Sequence, residues 1–147
     1  MLTQDDAEKL MGVLKKIIDP QLFRFPDTGG AELDIVSKDE RESFPTNINR
    51  GQKNPSKTSY NLRYKSPENP VIYRLDINGS KHRNPDGQEI PCPHLHIYRE
   101  NHEDTWAIPA PGDIARSTKP AEALIDFLRF CNIMNTSAIA IDGDLFE

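Results

Sequence analysis

The chain has 147 residues, 36% of them hydrophobic and 28% charged, and carries a formal net charge of -5. That length suffices for one modest core without disulfides, so a single domain over residues 1–147 is expected. No apolar run approaches the roughly 18 residues of a spanning helix, and the opening MLTQDDAEKL is acidic where a secretory leader is basic and then apolar, so the expectation is a cytoplasmic protein that meets no membrane.

The first expected element is a helix. Thr3 is a capping residue, Asp5 and Asp6 sit where the helix dipole favours anions, and Ala7, Leu10, Met11, Leu14, Ile17 and Ile18 recur at helical spacing. Asp19-Pro20 should end it, because a residue preceding proline is pushed out of the helical region. AELDIVSK then alternates Leu33 and Ile35 with polar neighbours, as a half-buried strand does. The asparagine-rich stretch SFPTNINRGQKNPSK reads as either a short strand with a loop or a hairpin, with a turn signal at Arg50-Gly51.

Two strands are clearer. TSYNLRYK puts Tyr60, Leu62 and Tyr64 on one face, VIYRLDI puts Val71, Tyr73, Leu75 and Ile77 on one face, and SPENP turns between them. A turn at Asn84-Pro85-Asp86-Gly87 and a proline bracket at Pro91 and Pro93 precede the strand HLHIYRE, and TWAIP returns as a short edge strand. A second helix begins near Thr118 with Pro120 in its first turn, and Ala121, Leu124, Ile125, Leu128 and Cys131 form its apolar stripe. The organised core is expected over roughly residues 3–134, with 135–147 either an acidic tail or a last strand. Helix, antiparallel strands, helix makes an α+β fold: a meander of about five strands flanked by an N-terminal and a C-terminal helix. Cys92 and Cys131 belong to no C-x-x-C pair and suit a reducing compartment, with no disulfide expected.

Charge is unevenly spread. Nine basic and four acidic residues lie from Arg50 to Arg99, a net of +5, so the remainder carries -10. Such a split suggests a basic face on an acidic body, suited to a phosphate-bearing partner; the plain alternative is charges alternating on solvated strands. Inside this stretch His94 and His96, two apart on one strand, share a face while Leu95 and Ile97 point to the core. If VIYRLDI pairs with HLHIYRE, then Arg74 and Asp76 join that face, and His82, Arg83 and Lys81 arrive from the loop.

Three chemistries want this set. Two histidines can act as base and acid on an RNA backbone, since imidazole exchanges protons near neutrality, with Asp76 orienting a ring and Arg83, Arg74 and Lys81 holding phosphate. This makes His94, His96, His82 and Asp76 the candidate catalytic residues of a metal-independent endoribonuclease with no cofactor. Alternatively, His94 and His96 as a strand pair, completed by His82 or by Asp76, hold a divalent transition metal, although no helical H-E-x-x-H or Cys/His spacing accompanies them. Or the cluster is structural and stacks on Tyr98 or Trp106.

The run from YRLDINGSKHRNPDG to PCPHLHIYRE also resembles a group of small bacterial and phage-borne proteins that share an arginine-aspartate strand, a histidine in the following turn and a P-H-x-H strand. More distantly it is similar to the TumE-type proteins of toxin-antitoxin loci. The likeness spans residues 73–106 and implies functional roles for Asp76, His82, His94 and His96. It implies a mobile-element or defence context, RNA as the target and a cognate antitoxin or other protein as partner. The competing expectation is a non-catalytic, protein-binding inhibitor or regulator encoded by a mobile element.

Overall fold

The computed structural model describes residues 1–114 and 119–139. Helix α1 (Gln4–Gly12) leads to strand β1 (Lys15–Ile17), followed by β2 (Gly29–Leu33), β3 (Ile35–Ser37), β4 (Thr46–Arg50), β5 (Thr58–Arg63) and β6 (Val71–Ile77). A small hairpin of β7 (His82–Arg83) and β8 (Glu89–Ile90) precedes β9 (His94–Ile97), β10 (Ala107–Pro109) and helix α2 (Pro120–Phe130). The main sheet has six strands in the order β10-β9-β6-β5-β4-β2, and each neighbouring pair is antiparallel. This is the expected α+β meander between two helices, with one strand more than the sequence suggested and two excursions, β1-β3 and β7-β8, folded out as separate two-stranded sheets.

The N-terminal helix is shorter than its apolar spacing predicts. Thr3 caps it as expected, its hydroxyl accepting from the Asp6 N–H at 3.1 Å, but the helix stops at Gly12 and Val13 is already extended. Residues 15–17 instead pair with Ile35–Ser37. Leu14 and Ile18, core positions on the helical reading, are 45% and 44% exposed, while Lys15 is fully buried. Its ammonium donates to the carbonyls of Met11 and Val13 at 3.2 and 3.0 Å and to that of Cys131 at 3.0 Å. One cation therefore satisfies carbonyls left open where both helices end, at the negative pole of each dipole. The strand expected over AELDIVSK is likewise divided at Asp34, so that β2 pairs with β4 and β3 with β1.

The asparagine-rich stretch is an ordered hairpin. Strands β4 and β5 pair from Thr46↔Leu62 to Arg50↔Thr58. The turn between them demands glycine at 51, because a Cβ there would lie 2.5 Å from the Asn54 carbonyl oxygen. Helix α2 starts with Pro120 in its first turn, where the missing N–H is harmless. It packs on the sheet face that carries Tyr60, Leu62, Leu75 and Leu95, all fully buried. Phe127 meets Tyr60 with ring centroids 5.9 Å apart, Phe130 meets Tyr73 edge-on at 5.2 Å, and the Tyr60 hydroxyl donates to the Pro120 carbonyl at 2.6 Å. Each large side chain buried in this layer contributes about 1.5–3 kcal/mol. Thr118 and residues 140–147, expected as a helix start and as a tail or last strand, lie outside the described residues.

The opposite face of the sheet is polar. Register places Gly30, Asn49, Ser59, Asp76, His94 and Pro109 in one transverse row, and Glu32, Asn47, Asn61, Arg74, His96 and Ala107 in the next. No helix among the described residues is long and apolar enough to cross a membrane.

Candidate functional site

Strand alternation sets the geometry. Strands β6 and β9 pair as inferred from sequence adjacency, with Arg74 opposite His96 and Asp76 opposite His94, so all four side chains leave the same face. Asp76 is the centre of the group. Its Oδ2 lies 3.0 Å from His94 Nε2 and 3.1 Å from His96 Nε2, while Arg74 reaches it through Nη2 at 3.1 Å and through Nε at 3.2 Å to both oxygens. Burial pushes the Asp76 carboxyl up, but the hydrogen bonds from His94, His96 and Arg74 outweigh it and hold the group well below the usual carboxylate range. Arg74 also lies 3.6 Å from the Asp104 carboxylate, so two acids and one guanidinium leave this cluster with a charge of -1 when both histidines are neutral.

The histidines differ in access. His94 and His96 are each only 2% exposed. His96 Nδ1 donates to the Asp104 carbonyl at 2.8 Å, whereas His94 Nδ1 is buried without a hydrogen-bond partner among the described residues. His82 sits over the pair from the β7-β8 hairpin, its ring 4.5 Å from that of His96 and 5.8 Å from that of His94. His82 is partly exposed, and its Nε2 donates to the Thr105 carbonyl at 2.8 Å, which leaves Nδ1 as the basic atom of the neutral ring.

The expected turn holds that hairpin in place. The Gly87 N–H closes it on the Asn84 carbonyl at 2.8 Å, with Gly87 at φ +90° where a Cβ would be strained. Asn84 is buried and its side-chain amide copies a strand partner, accepting from the Ala107 N–H at 2.8 Å and donating to the Ala107 carbonyl at 2.9 Å. The NPDG segment thereby pins the hairpin to β10 and places His82 over the polar face. Cys92, between β8 and β9, ties its segment to the end of β6: its thiol donates to the Asp76 carbonyl and accepts from the Gly79 N–H, both at 3.3 Å.

Beside this cluster lies a cavity of about 440 Å³ whose wall includes Arg50, Lys57, Arg74, Lys81, Asp76, His82 and His94. Four cations and one carboxylate face it, and the carboxylate is already engaged. Lys57 is exposed and has no ion pair among the described residues, whereas Lys81 is held by Glu89 at 2.7 Å and Arg50 by the carbonyls of Pro55 and Pro26 at 2.9 and 2.8 Å.

Six of the seven residues singled out from sequence meet here: His82, His94, Asp76, Arg74 and Lys81 on the cavity wall, with His96 behind it. Arg83 does not. It alternates with His82 on β7, lies 3.9 Å from Glu89 and forms no part of the cavity wall. Tyr98, on the histidine face by alternation, sends its hydroxyl to the Leu2 carbonyl at 2.6 Å, and Trp106 stacks under Arg99 at 4.3 Å; neither receives a site histidine. Asp76, His94 and His96 each bring one possible ligand atom within 4.8 Å of the other two, so of the two residues that could complete the histidine pair it is Asp76 that converges with it. Sequence reasoning passes over Arg50 and Lys57, which the β4-β5 hairpin brings to the end of β6; the Arg50-Gly51 turn signal beside a paired strand is the trace they leave. The orienting carbonyls of Asp104 and Thr105 carry no such trace, since a backbone acceptor is independent of residue type.

No curated protein and no solved structure matches the chain. A family model does, over residues 2–133, and on that match the chain belongs to the family of unknown function DUF6978.

Proposed function

We propose that the chain binds the phosphate backbone of single-stranded RNA in the basic cavity and cleaves it by proton transfer at the ribose 2′-hydroxyl. The observation that carries this reading is the cavity wall, where four cations share the lining with an imidazole, His82, whose orientation is fixed and whose Nδ1 is unprotonated in the neutral ring. In the proposed step His82 Nδ1 takes the 2′-hydroxyl proton, the 2′-oxygen bonds to phosphorus and the bond to the 5′-oxygen breaks. The 5′-oxygen takes a proton from water and His82 returns its own to solvent, leaving a 2′,3′-cyclic phosphate and a 5′-hydroxyl. Lys57 and Arg74 offset the charge that grows on the phosphorane. His94 and His96, nearly buried and both turned toward Asp76, are assigned a positioning role rather than proton transfer.

A labelled RNA and a DNA of the same sequence test the reading. The RNA should give cyclic-phosphate ends while the DNA stays intact; His82→Ala should slow cleavage by about 10²-fold or more. Arg83→Ala, outside the cavity, should cleave as the parent does. RNA left whole by the folded parent chain, with and without divalent ions, would refute it.

A further inference from the structure

We infer that Asp76, His94 and His96 form a binding site for one divalent transition-metal ion of the zinc class, set at the wall of the basic cavity. This deepens the reading above by naming the charge that a phosphate would meet there. The decisive residue is His96. Its Nδ1 faces a backbone carbonyl at 2.8 Å and must carry a proton. In the neutral ring Nε2 is then a lone pair, yet it lies 3.1 Å from the Asp76 carboxylate oxygen. Two acceptors at that distance require a positive species between them.

A metal ion fits better than a proton for three reasons. His94 Nε2 lies 3.0 Å from the same oxygen, and one ligating atom from each of the three residues falls within 4.8 Å of the others. Zinc bonds of about 2.0–2.2 Å set tetrahedral ligands about 3.3–3.5 Å apart, so the two histidine–carboxylate distances open slightly and the two imidazole nitrogens, within 4.8 Å, close on the ion. The bond from His96 Nδ1 to a carbonyl is the outer contact by which metal-binding imidazoles are commonly oriented, and the Arg74 fork orients the carboxylate in the same way. Finally, two imidazoles with one carboxylate are a donor set that suits Zn²⁺, Co²⁺, Ni²⁺ or Mn²⁺ over Mg²⁺. Asp76 and His94 reach the cavity wall, so the remaining coordination positions are accessible from it.

Tag-free full-length protein, stripped by chelator, should take up one Zn²⁺ per chain by calorimetry and give visible ligand-field absorption with Co²⁺. Asp76→Ala and His94→Ala should weaken binding by about 100-fold or more. Because those variants could unfold, ¹⁵N-histidine NMR on the parent supplies a second measure: Zn²⁺ should shift Nε2 of His94 and His96 while Nδ1 of His96 stays protonated. Failure of the parent to bind Zn²⁺ and Co²⁺ more tightly than folded His94→Ala, with His96 doubly protonated, would overturn the site. Metal bound and RNA left whole would remove only the RNA reading; RNA cleaved under chelation by a chain that binds no metal would remove only this one.

Discussion

Replacing Asp76 by asparagine tests the centre of the polar face without changing its shape. With no metal ion bound, the positive species between Oδ2 and His96 Nε2 is a proton, so Oδ2 receives His94, His96 and Arg74, and Oδ1 receives Arg74 Nε at 3.2 Å. An asparagine can place its oxygen at the Oδ2 position, but its amide then sets donor against donor at Arg74; the opposite flip sets the amide against three donors. The first orientation costs less. It removes the carboxylate charge from the contacts with His94, His96 and Arg74, and at about 1 kcal/mol per contact the loss is about 3 kcal/mol in all. Arg74 relieves part of the donor conflict, since its side chain is 36% exposed and already approaches Asp104. At about 2–4 °C per kcal/mol for a chain of this size, the melting temperature should fall by about 6–12 °C. Urea unfolding of chelator-treated Asp76→Asn, compared with Arg74→Met, measures it, and Arg74→Met should cost no more than about 1 kcal/mol, as expected of a partly exposed pair. Stability of Asp76→Asn within about 0.5 kcal/mol of the parent, or a larger loss in Arg74→Met, would refute the placement of Asp76 as the shared acceptor.

Burial lowers the Lys15 ammonium from 10.5 to about 8, so the folded chain releases this proton before the unfolded chain does, and stability contributed by this group should rise with pH between those values. The ceiling is about 3 kcal/mol, reduced by the three carbonyls that favour the charged form; the buried Cys131 thiol, held above its ordinary range by burial, opposes the rise above about pH 9, so the quantity to measure by urea unfolding is the parent minus Lys15→Met at pH 7 and pH 10, which should grow. Asn84→Ala leaves the Ala107 N–H and carbonyl without their partner and should cost about 2–4 kcal/mol, with faster amide exchange at Ala107. Lys57→Ala should leave stability within about 0.5 kcal/mol but lower the salt slope of RNA binding, read from fluorescence anisotropy, by about 0.7 for one lost phosphate contact.

Strand pairing and facing were legible where period-two alternation was unbroken. Leu95 and Ile97 between the histidines, and Leu75 and Ile77 around Asp76, admit one register, and that register places Asp76 beside His94. Alternation gives a face but not its cover. His94 and His96 are buried because the β7-β8 hairpin folds back over them, and that depends on an asparagine side chain imitating a strand 23 residues away. For the same reason His82 and Arg83 were indistinguishable: on a two-residue strand, only the hairpin's docking decides which of them turns inward. The first helix was overextended because Leu14, Ile17 and Ile18 satisfy helical spacing while Ile17 equally satisfies a strand. The sign that was available is Gly12, a poor helix former, followed by β-branched Val13.

Stability alone does not account for the polar face. Groups of ionised side chains held out of water are seldom better for folding than apolar residues of the same volume, because their desolvation offsets most of their attraction. The buried His94 Nδ1 has no hydrogen-bond partner among the described residues, a cost that no contact in the group returns. Were the cluster only a means of packing the hairpin, its polar atoms would be expected to close on one another away from solvent. They instead converge on one carboxylate oxygen at the wall of a cavity lined by four cations, with an oriented imidazole over it. The cost of the arrangement and its position together favour a site that binds a charged ligand over a structural knot.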